Sequence, residues 1–289
     1  MLVEGIAAAA AAVSAYSFLY DPYKLVLTEI EFGFPNLPAE FDGFTILQIS
    51  DMHLKKENWI QTTAQNILQA KLRRLIRGRH YDMVAFTGDA EVRGEEGFRS
   101  MKALLDAVPS RYGSYFVPGN GEYQHHYDID HFLDTVASWG MKLLRNASCV
   151  IEKDGAHIDL IGVDDQFTRH SDLPAALTGV PDGGFRLLLS HSPAIAREAI
   201  KHNIDLVLSG HTHGGQVRMP FVGALYTHLG VGAPRLDAGV FQGRRLAKRT
   251  GMDPKGTKVF VARGVGMSDF YIRFLCPPEV GLITLRRMP

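Results

Sequence analysis

The chain has 289 residues, 46% hydrophobic and 21% charged, with Lys+Arg and Asp+Glu balanced at 31 each. That composition suits a globular protein with a substantial core, and zero net charge disfavours a nucleic-acid or other polyanion partner. Two cysteines, Cys149 and Cys276, exclude a disulfide framework.

The N-terminus carries an uncharged run, GIAAAAAAVSAYSFLY at 5–20, closed by Asp21-Pro22. As a helix it spans about 24 Å, short of the ~30 Å hydrocarbon core, and residues 1–4 nearly close the gap. Three readings stay open: a membrane anchor or membrane-associated helix, an atypical or uncleaved signal, and a helix packed on the domain. Only Glu4 stands where a signal would carry basic residues. Residues 24–32 partly alternate apolar and polar, as an outer strand does.

Five later runs share another pattern: a short apolar stretch followed at once by a polar motif. They are FTILQIS before Asp51 and His53, MVAFT before Gly88-Asp89, SYFVP before Gly119-Asn120, FRLLLS before His191, and DLVLS before Gly210-His211-Thr212-His213. Continuous apolar runs of this length predict buried strands. Helical patterns separate several of them, over 59–77, 98–108, 129–139 and 193–202, which implies βαβ units. Residues 149–163, turning at Asp154-Gly155, predict a hairpin, and 258–262, 270–274 and 281–285 predict short strands. The expected organisation is an apolar segment, 1–22, followed by one domain, 23–289, with two packed sheets and helices outside.

In open α/β sheets, sites form at the carboxyl ends of strands. Here five strand exits deliver Asp51, His53, Asp89, Asn120, His191, His211 and His213. Each motif alone is ordinary: Asp and Asn are common turn residues, and a single histidine is more often a satisfied core residue. His211 and His213 are stronger, because alternate residues of an extended segment point the same way. Imidazole nitrogen with carboxylate oxygen suits Mn, Fe, Zn or Co. Seven ligands exceed one tetrahedral ion and suit two, placed to clamp the attacking and leaving oxygens of a phosphate ester.

The order D-x-H, G-D, G-N, H, G-H-T-H, with GHTHGGQ at 210–216, resembles the calcineurin-like metallophosphoesterase superfamily. The tail at 264–285 is similar to a bacterial subgroup of membrane- or envelope-associated phosphodiesterases. The resemblance implies a four-layer α/β/β/α sandwich of two mixed sheets with flanking helices. It implies two divalent ions (Mn, Fe or Zn): Asp51, His53 and His213 on the first, Asn120, His191 and His211 on the second, and Asp89 bridging. The implied activity is hydrolysis of a phosphodiester or pyrophosphate bond by a hydroxide held between the ions, with Asp89 and Asn120 in the catalytic set. The apolar N-terminal segment favours an amphiphilic substrate, one candidate being a nucleotide-linked lipid such as UDP-2,3-diacylglucosamine, and the expected location is the bacterial inner membrane, on a side left open. The contrasting reading is a metal-binding scaffold of the same fold without turnover.

One departure matters. The family pattern reads G-N-H-D/E, and its His assists the phosphate or the leaving group. This chain reads Gly119-Asn120-Gly121-Glu122. His125, His126 or Tyr123 on the same loop are the expected substitutes, and restoring His at 121 is expected to raise turnover on poor leaving groups. Arg235, Arg244, Arg245, Lys248 and Arg249 form a basic stretch, read as a solvated loop or as a rim receiving phosphate or anionic lipid.

Overall fold

Met83–Thr87 is buried along its whole length, and its side chains alternate between two cores. Met83 and Ala85 enter the layer between the sheets, while Val84 and Phe86 enter the layer beneath the outer helices. A strand buried on both faces has no polar side to show, which is why its sequence is a continuous apolar run. The computed structural model describes residues 2–54, 59–124, 128–227, 229, 232–268 and 270–289.

Helix α1 (Leu2–Ala15) leads through helical turns at Tyr16–Tyr20 and Asp21–Tyr23 into β1 (Val26–Phe34). Then come β2 (Thr45–Ile49), α2 (Trp59–Ile76), β3 (Met83–Thr87), α3 (Gly94–Ala107), β4 (Ser114–Val117), α4 (Ile129–Ser138) and β5 (Lys142–Leu143). The second half supplies β6 (Ala147–Lys153), β7 (Ala156–Gly162), α5 (Leu173–Ala176), β8 (Arg186–Leu189), α6 (Ala196–Lys201) and β9 (Leu206–Ser209). A small hairpin, β10 (Arg218–Met219) with β11 (Gly223–Ala224), precedes β12 (Gly239–Phe241), α7 (Gly243–Thr250), β13 (Lys258–Val261) and β14 (Glu279–Arg287).

One mixed sheet runs β1-β14-β2-β3-β4-β5 and the other β12-β13-β9-β8-β7-β6. Their facing sides interdigitate through Ile46, Ala85 and Ile283 from the first and Leu187, Leu208 and Phe260 from the second. Outside the first sheet, Leu68, Leu72, Met101, Leu104 and Phe132 from α2, α3 and α4 cover Leu47, Phe86 and Phe116. Outside the second, Ala199, Ile200 and Leu246 from α6 and α7 cover Leu188, Val207 and Val261. The result is the four-layer α/β/β/α sandwich. Parallel pairing of β2, β3 and β4, and of β7, β8, β9 and β13, brings their carboxyl ends to one edge of both sheets.

Some local expectations change. Residues 270–274 are not a strand; Phe274 makes an isolated bridge with Val217. The buried Arg273 guanidinium donates instead to the carbonyls of Cys276, Arg263, Gly264 and Gly266, which holds this segment irregular. The helix expected over 98–108 begins at Gly94, with Glu95 and Glu96 in its first turn, where the helix dipole favours acids. The basic stretch contains α7, whose Leu246 is buried and whose Arg245 lies over the Phe241 ring at 4.1 Å.

The N-terminal segment Val3–Tyr23 is long and apolar enough to cross a membrane, and only 6% of it is buried, unlike a core helix. Its base is docked. Ser17 O accepts from Arg273 N (3.1 Å), Asp21 Oδ2 accepts from Cys276 N (2.8 Å), and the Tyr16 ring meets Phe274 edge-on at 5.7 Å.

Candidate metal centre

Five strand exits carry the polar side chains, and all but the half-buried Asn120 lie in one buried cluster. Asp51 and His53 follow β2, Asp89 follows β3, Asn120 follows β4, His191 follows β8, and His211 and His213 follow β9. Asp51, His53, Asp89, His191, His211 and His213 are all at least nine-tenths buried. The chain turns sharply at these exits. Asp51, His53, Asp89, His211 and His213 all take positive φ between 47° and 71°, a region that non-glycine residues rarely enter and that clusters at functional sites. Gly210 permits the closest approach, since a Cβ there would lie 1.9 Å from Ser50 Oγ and 2.3 Å from Asp51 Oδ2.

Two histidine pairs face each other. His53 Nε2 lies 2.9 Å from His213 Nε2, and His211 Nδ1 lies 3.1 Å from His191 Nε2. Asp89 stands between them, with Oδ2 3.8 Å from His53 Nε2 and Oδ1 3.4 Å from His191 Nε2. Asp51 Oδ1 is 3.4 Å from His213 Nε2, and its carboxylate accepts from His211 N at 3.0 and 3.2 Å. Two triads, Asp51-His53-His213 and Asp51-Asp89-His191, each bring ligand atoms within 4.8 Å of one another.

Outer partners fix the ring orientations. His191 Nδ1–H donates to Thr87 O at 2.8 Å, which leaves Nε2 as a lone pair directed into the cluster. His53 Nδ1 is held by Glu91 Oε2 at 2.7 Å, which does the same for its Nε2. Among the described residues, Asn120 Oδ1 and His213 Nδ1 are buried without a hydrogen-bond partner. Converging imidazole nitrogens, two carboxylates and an orphaned amide oxygen fit hard-to-borderline divalent ions.

The electrostatics agree with a site built for cations. Burial pushes the His53 and His191 imidazoliums down, yet Glu91 beside the first and Asp89 beside the second raise both above the ordinary histidine range. Burial also pushes Asp89 up, but His191 and His53 outweigh it and hold its carboxyl low. His213 is driven well down by burial and by its neighbour His53. Burial raises Asp51.

The loop after β4 resolves the departure at Gly121. A Cβ on Gly121 would lie 2.5 Å from Glu91 Cγ and 2.9 Å from Asp89 Oδ1, so Glu91 fills the space where a side chain at 121 would begin. Gly121 N donates to Asp89 Oδ1 at 2.7 Å. A His at 121 would have to displace Glu91 before it could reach the site. Glu122 is fully buried and accepts from the N–H groups of Asp89, Glu91 and Gly119 at 3.0, 2.9 and 2.8 Å. Burial, with Asp89 nearby, nonetheless pushes its carboxyl up to about 8. His125 and His126 lie outside the described residues. Tyr123 is engaged elsewhere, donating to Asp164 at 2.6 Å and stacking on His170 at 4.3 Å.

Sequence reasoning passed over three acidic residues at these exits, Glu91, Asp164 and Asp165. Glu91 follows a run already assigned to Asp89, so it carried no separate signal. Asp164 and Asp165 leave β7 at the same edge, yet that strand read as half of a hairpin. Asp165 is fully buried, and its Oδ2 accepts from Thr168 N and Oγ1. The signal was present, because Ile161-Gly162-Val163 followed by two aspartates repeats the apolar-run-then-ligand pattern of the other exits.

Comparison with known proteins agrees with this geometry. The chain is 29% identical over 275 residues to an uncharacterized metallophosphoesterase of Bacillus subtilis, YkuE, covering 94% of this chain and 89% of that one. It is 30% identical to a zebrafish (Danio rerio) transmembrane protein with a metallophosphoesterase domain, covering 68% of this chain and 46% of that protein. It is 25% identical to the UDP-2,3-diacylglucosamine pyrophosphatase LpxG of Chlamydia muridarum, covering 90% and 89%. Residues 44–215, which carry the whole cluster from Asp51 to His213, match the calcineurin-like phosphoesterase family, and the chain belongs to that family.

Proposed function

We propose that the chain hydrolyses a phosphodiester or pyrophosphate bond with two divalent ions, Mn, Fe or Zn. Asp51, His53 and His213 would hold one ion, Asn120, His191 and His211 the other, and Asp89 both. The observation that carries this reading is the position of Asp89, with one carboxylate oxygen toward each histidine pair. Ions bound there supply Lewis acidity to a phosphoryl oxygen and lower the pKa of coordinated water. The chain's own residues do the positioning. Thr87 O and Glu91 orient His191 and His53, while Glu122 gathers three N–H groups from the turns after β3 and β4 into one frame.

No imidazole stands at position 121 to protonate a leaving group, and Glu91 occupies its place. Substrates with good leaving groups, pyrophosphates above all, need that assistance least. The N-terminal segment favours a membrane-associated protein and hence an amphiphilic, lipid-linked substrate. A scaffold without turnover is the contrasting reading; nothing in such a role calls for a buried cluster of this chemistry. Hydrolysis of bis(p-nitrophenyl) phosphate with added Mn tests the proposal. Mn-dependent turnover abolished in Asp89→Asn supports it, and turnover unchanged in that variant sinks it.

A further inference from the structure

The hairpin β10–β11 raises an apolar tip beside the metal centre. Phe221 is 109% exposed and Val222 73%, and Leu225 and Tyr226 on the following strand exit are also exposed. Phe221 takes φ 65°, a conformation that bulky residues rarely adopt. These side chains make an exposed apolar patch of the kind that marks an interaction surface rather than ordinary scatter.

The surroundings are basic. A cavity of about 410 Å³ is lined by Phe221, Val222 and Leu275 together with Arg218, Arg245 and Arg249. A neighbouring one of about 190 Å³ shares Val222 and Arg249 and adds Leu225 and Arg235. Arg218 is paired with Asp237 at 2.9 Å and Arg245 donates to Val240 O. Arg235 and Arg249 have no carboxylate partner among the described residues. Arginines with no carboxylate partner among the described residues, beside exposed phenylalanine, valine and leucine, match the layered chemistry of a bilayer surface, with anionic phosphates above hydrocarbon.

The patch is continuous with the N-terminal segment. Leu275 lines the larger cavity, and its neighbour Phe274 packs against Tyr16 while its carbonyl accepts from Arg218 N at 2.9 Å. A membrane holding residues 3–23 would therefore lie near the hairpin. The hairpin also adjoins the ligands, since Arg218 donates to Gly214 O, next to His213.

We propose that the β10–β11 tip, with Phe221, Val222, Leu225 and Tyr226 over the arginines Arg235 and Arg249, is a second membrane contact that docks on an anionic lipid surface beside the metal centre. It rests on the membrane-associated reading above and not on turnover. Docking there would present the site to the headgroup region, where a lipid-linked phosphate or pyrophosphate lies.

The test uses the full chain with Phe221→Trp as a depth reporter, the native Trp59 and Trp139 signal being subtracted with the unsubstituted protein. Vesicles of phosphatidylcholine, with and without phosphatidylglycerol, carry acyl-chain-brominated lipid as quencher. A blue shift and quenching at position 221 in anionic vesicles is expected, with no change for His157→Trp on the β6–β7 hairpin. Arg235→Gln and Arg249→Gln should each weaken the quenching-derived affinity about fivefold in anionic vesicles only. Phe221→Ser should leave hydrolysis of a soluble diester unchanged, which separates failure of docking from failure of the enzyme reading. An unquenched reporter on protein that still floats with vesicles overturns the proposal, because the N-terminal segment alone would then hold the membrane. A lipid-independent, concentration-dependent shift at 221 also overturns it, because the patch would then receive a second copy of the chain.

Discussion

Glu91 Oε2 holds His53 Nδ1 at 2.7 Å, and both side chains are buried. The contact fixes which nitrogen of His53 faces the cluster and which way the ring lies. Outer partners of this kind typically contribute about 10–100-fold to metal affinity. Glu91→Gln keeps the size of the side chain and removes the charge. It should lower affinity for the ion held by Asp51, His53 and His213, read by metal titration, with a smaller effect on total fold stability. Unchanged titration would show that His53 needs no such support.

Gly121 and Glu91 occupy one space, so they should couple. Gly121→His alone forces an added side chain against Glu91 Cγ, and overpacking of this kind costs about 1–3 kcal/mol. The double variant Glu91→Ala/Gly121→His removes the obstacle and should be less destabilised than the two single effects added together, as residues in contact are. Thermal unfolding of the four proteins measures this. Strict additivity would mean that the loop moves aside and the clash is not the reason for glycine here.

Asp89 reaches both histidine pairs, whereas His211 lies on one side only. Asp89→Asn should reduce bound divalent metal at both positions, and His211→Ala at one. Metal analysis after dialysis against a chelator and reloading with Mn gives the stoichiometry. An Asp89→Asn protein that reloads to the parent's level would contradict the bridging role.

Glu122 accepts three backbone N–H groups, two from the turn after β3 and one from the turn after β4. Glu122→Gln substitutes an amide donor for one acceptor oxygen and faces it toward N–H groups. Leaving a buried N–H without its acceptor costs roughly 1–3 kcal/mol, and the loss should appear in denaturant unfolding. The same variant should loosen metal binding, because the turns carrying Asp89 and Asn120 share that carboxylate. Parent-like unfolding would show that the frame is held by other contacts.

Where the N-terminal segment is cut should decide the outcome. Deleting residues 2–15 removes exposed helix and should free the protein from membranes without loss of soluble-diester hydrolysis. Deleting 2–22 also removes Ser17 and Asp21, which hold Arg273 N and Cys276 N. Those residues reach the ligands: Arg273 binds the carbonyls of Gly264 and Gly266, Gly266 N donates to Asp51 O at 2.7 Å, and Cys276 Sγ meets His213 O at 3.4 Å. The longer deletion should therefore lower stability and metal occupancy. Equal behaviour of the two truncations would separate the segment from the centre.

The strands and the candidate ligand positions at their exits were legible in the sequence because the cause is local. A strand buried on both faces must be an unbroken apolar run, and a polar motif straight after it marks where the chain leaves the sheet, as at Ile49 before Asp51 and at Ser209 before His211. What only the tertiary structure decided came from partners distant in sequence. Glu91 acquires its role by meeting His53 across 38 residues, and Gly121 is explained by a side chain 30 positions away. The segment 270–274 has strand-like composition, yet the buried Arg273 guanidinium ties it to the carbonyls of Arg263, Gly266 and Cys276, distant or irregular backbone that composition does not reveal. The apolar run at the N-terminus gave away its hydrophobicity but not the seating of Ser17 and Asp21 against Arg273 and Cys276, because hydrogen bonds spanning some 250 residues leave no periodic trace in sequence.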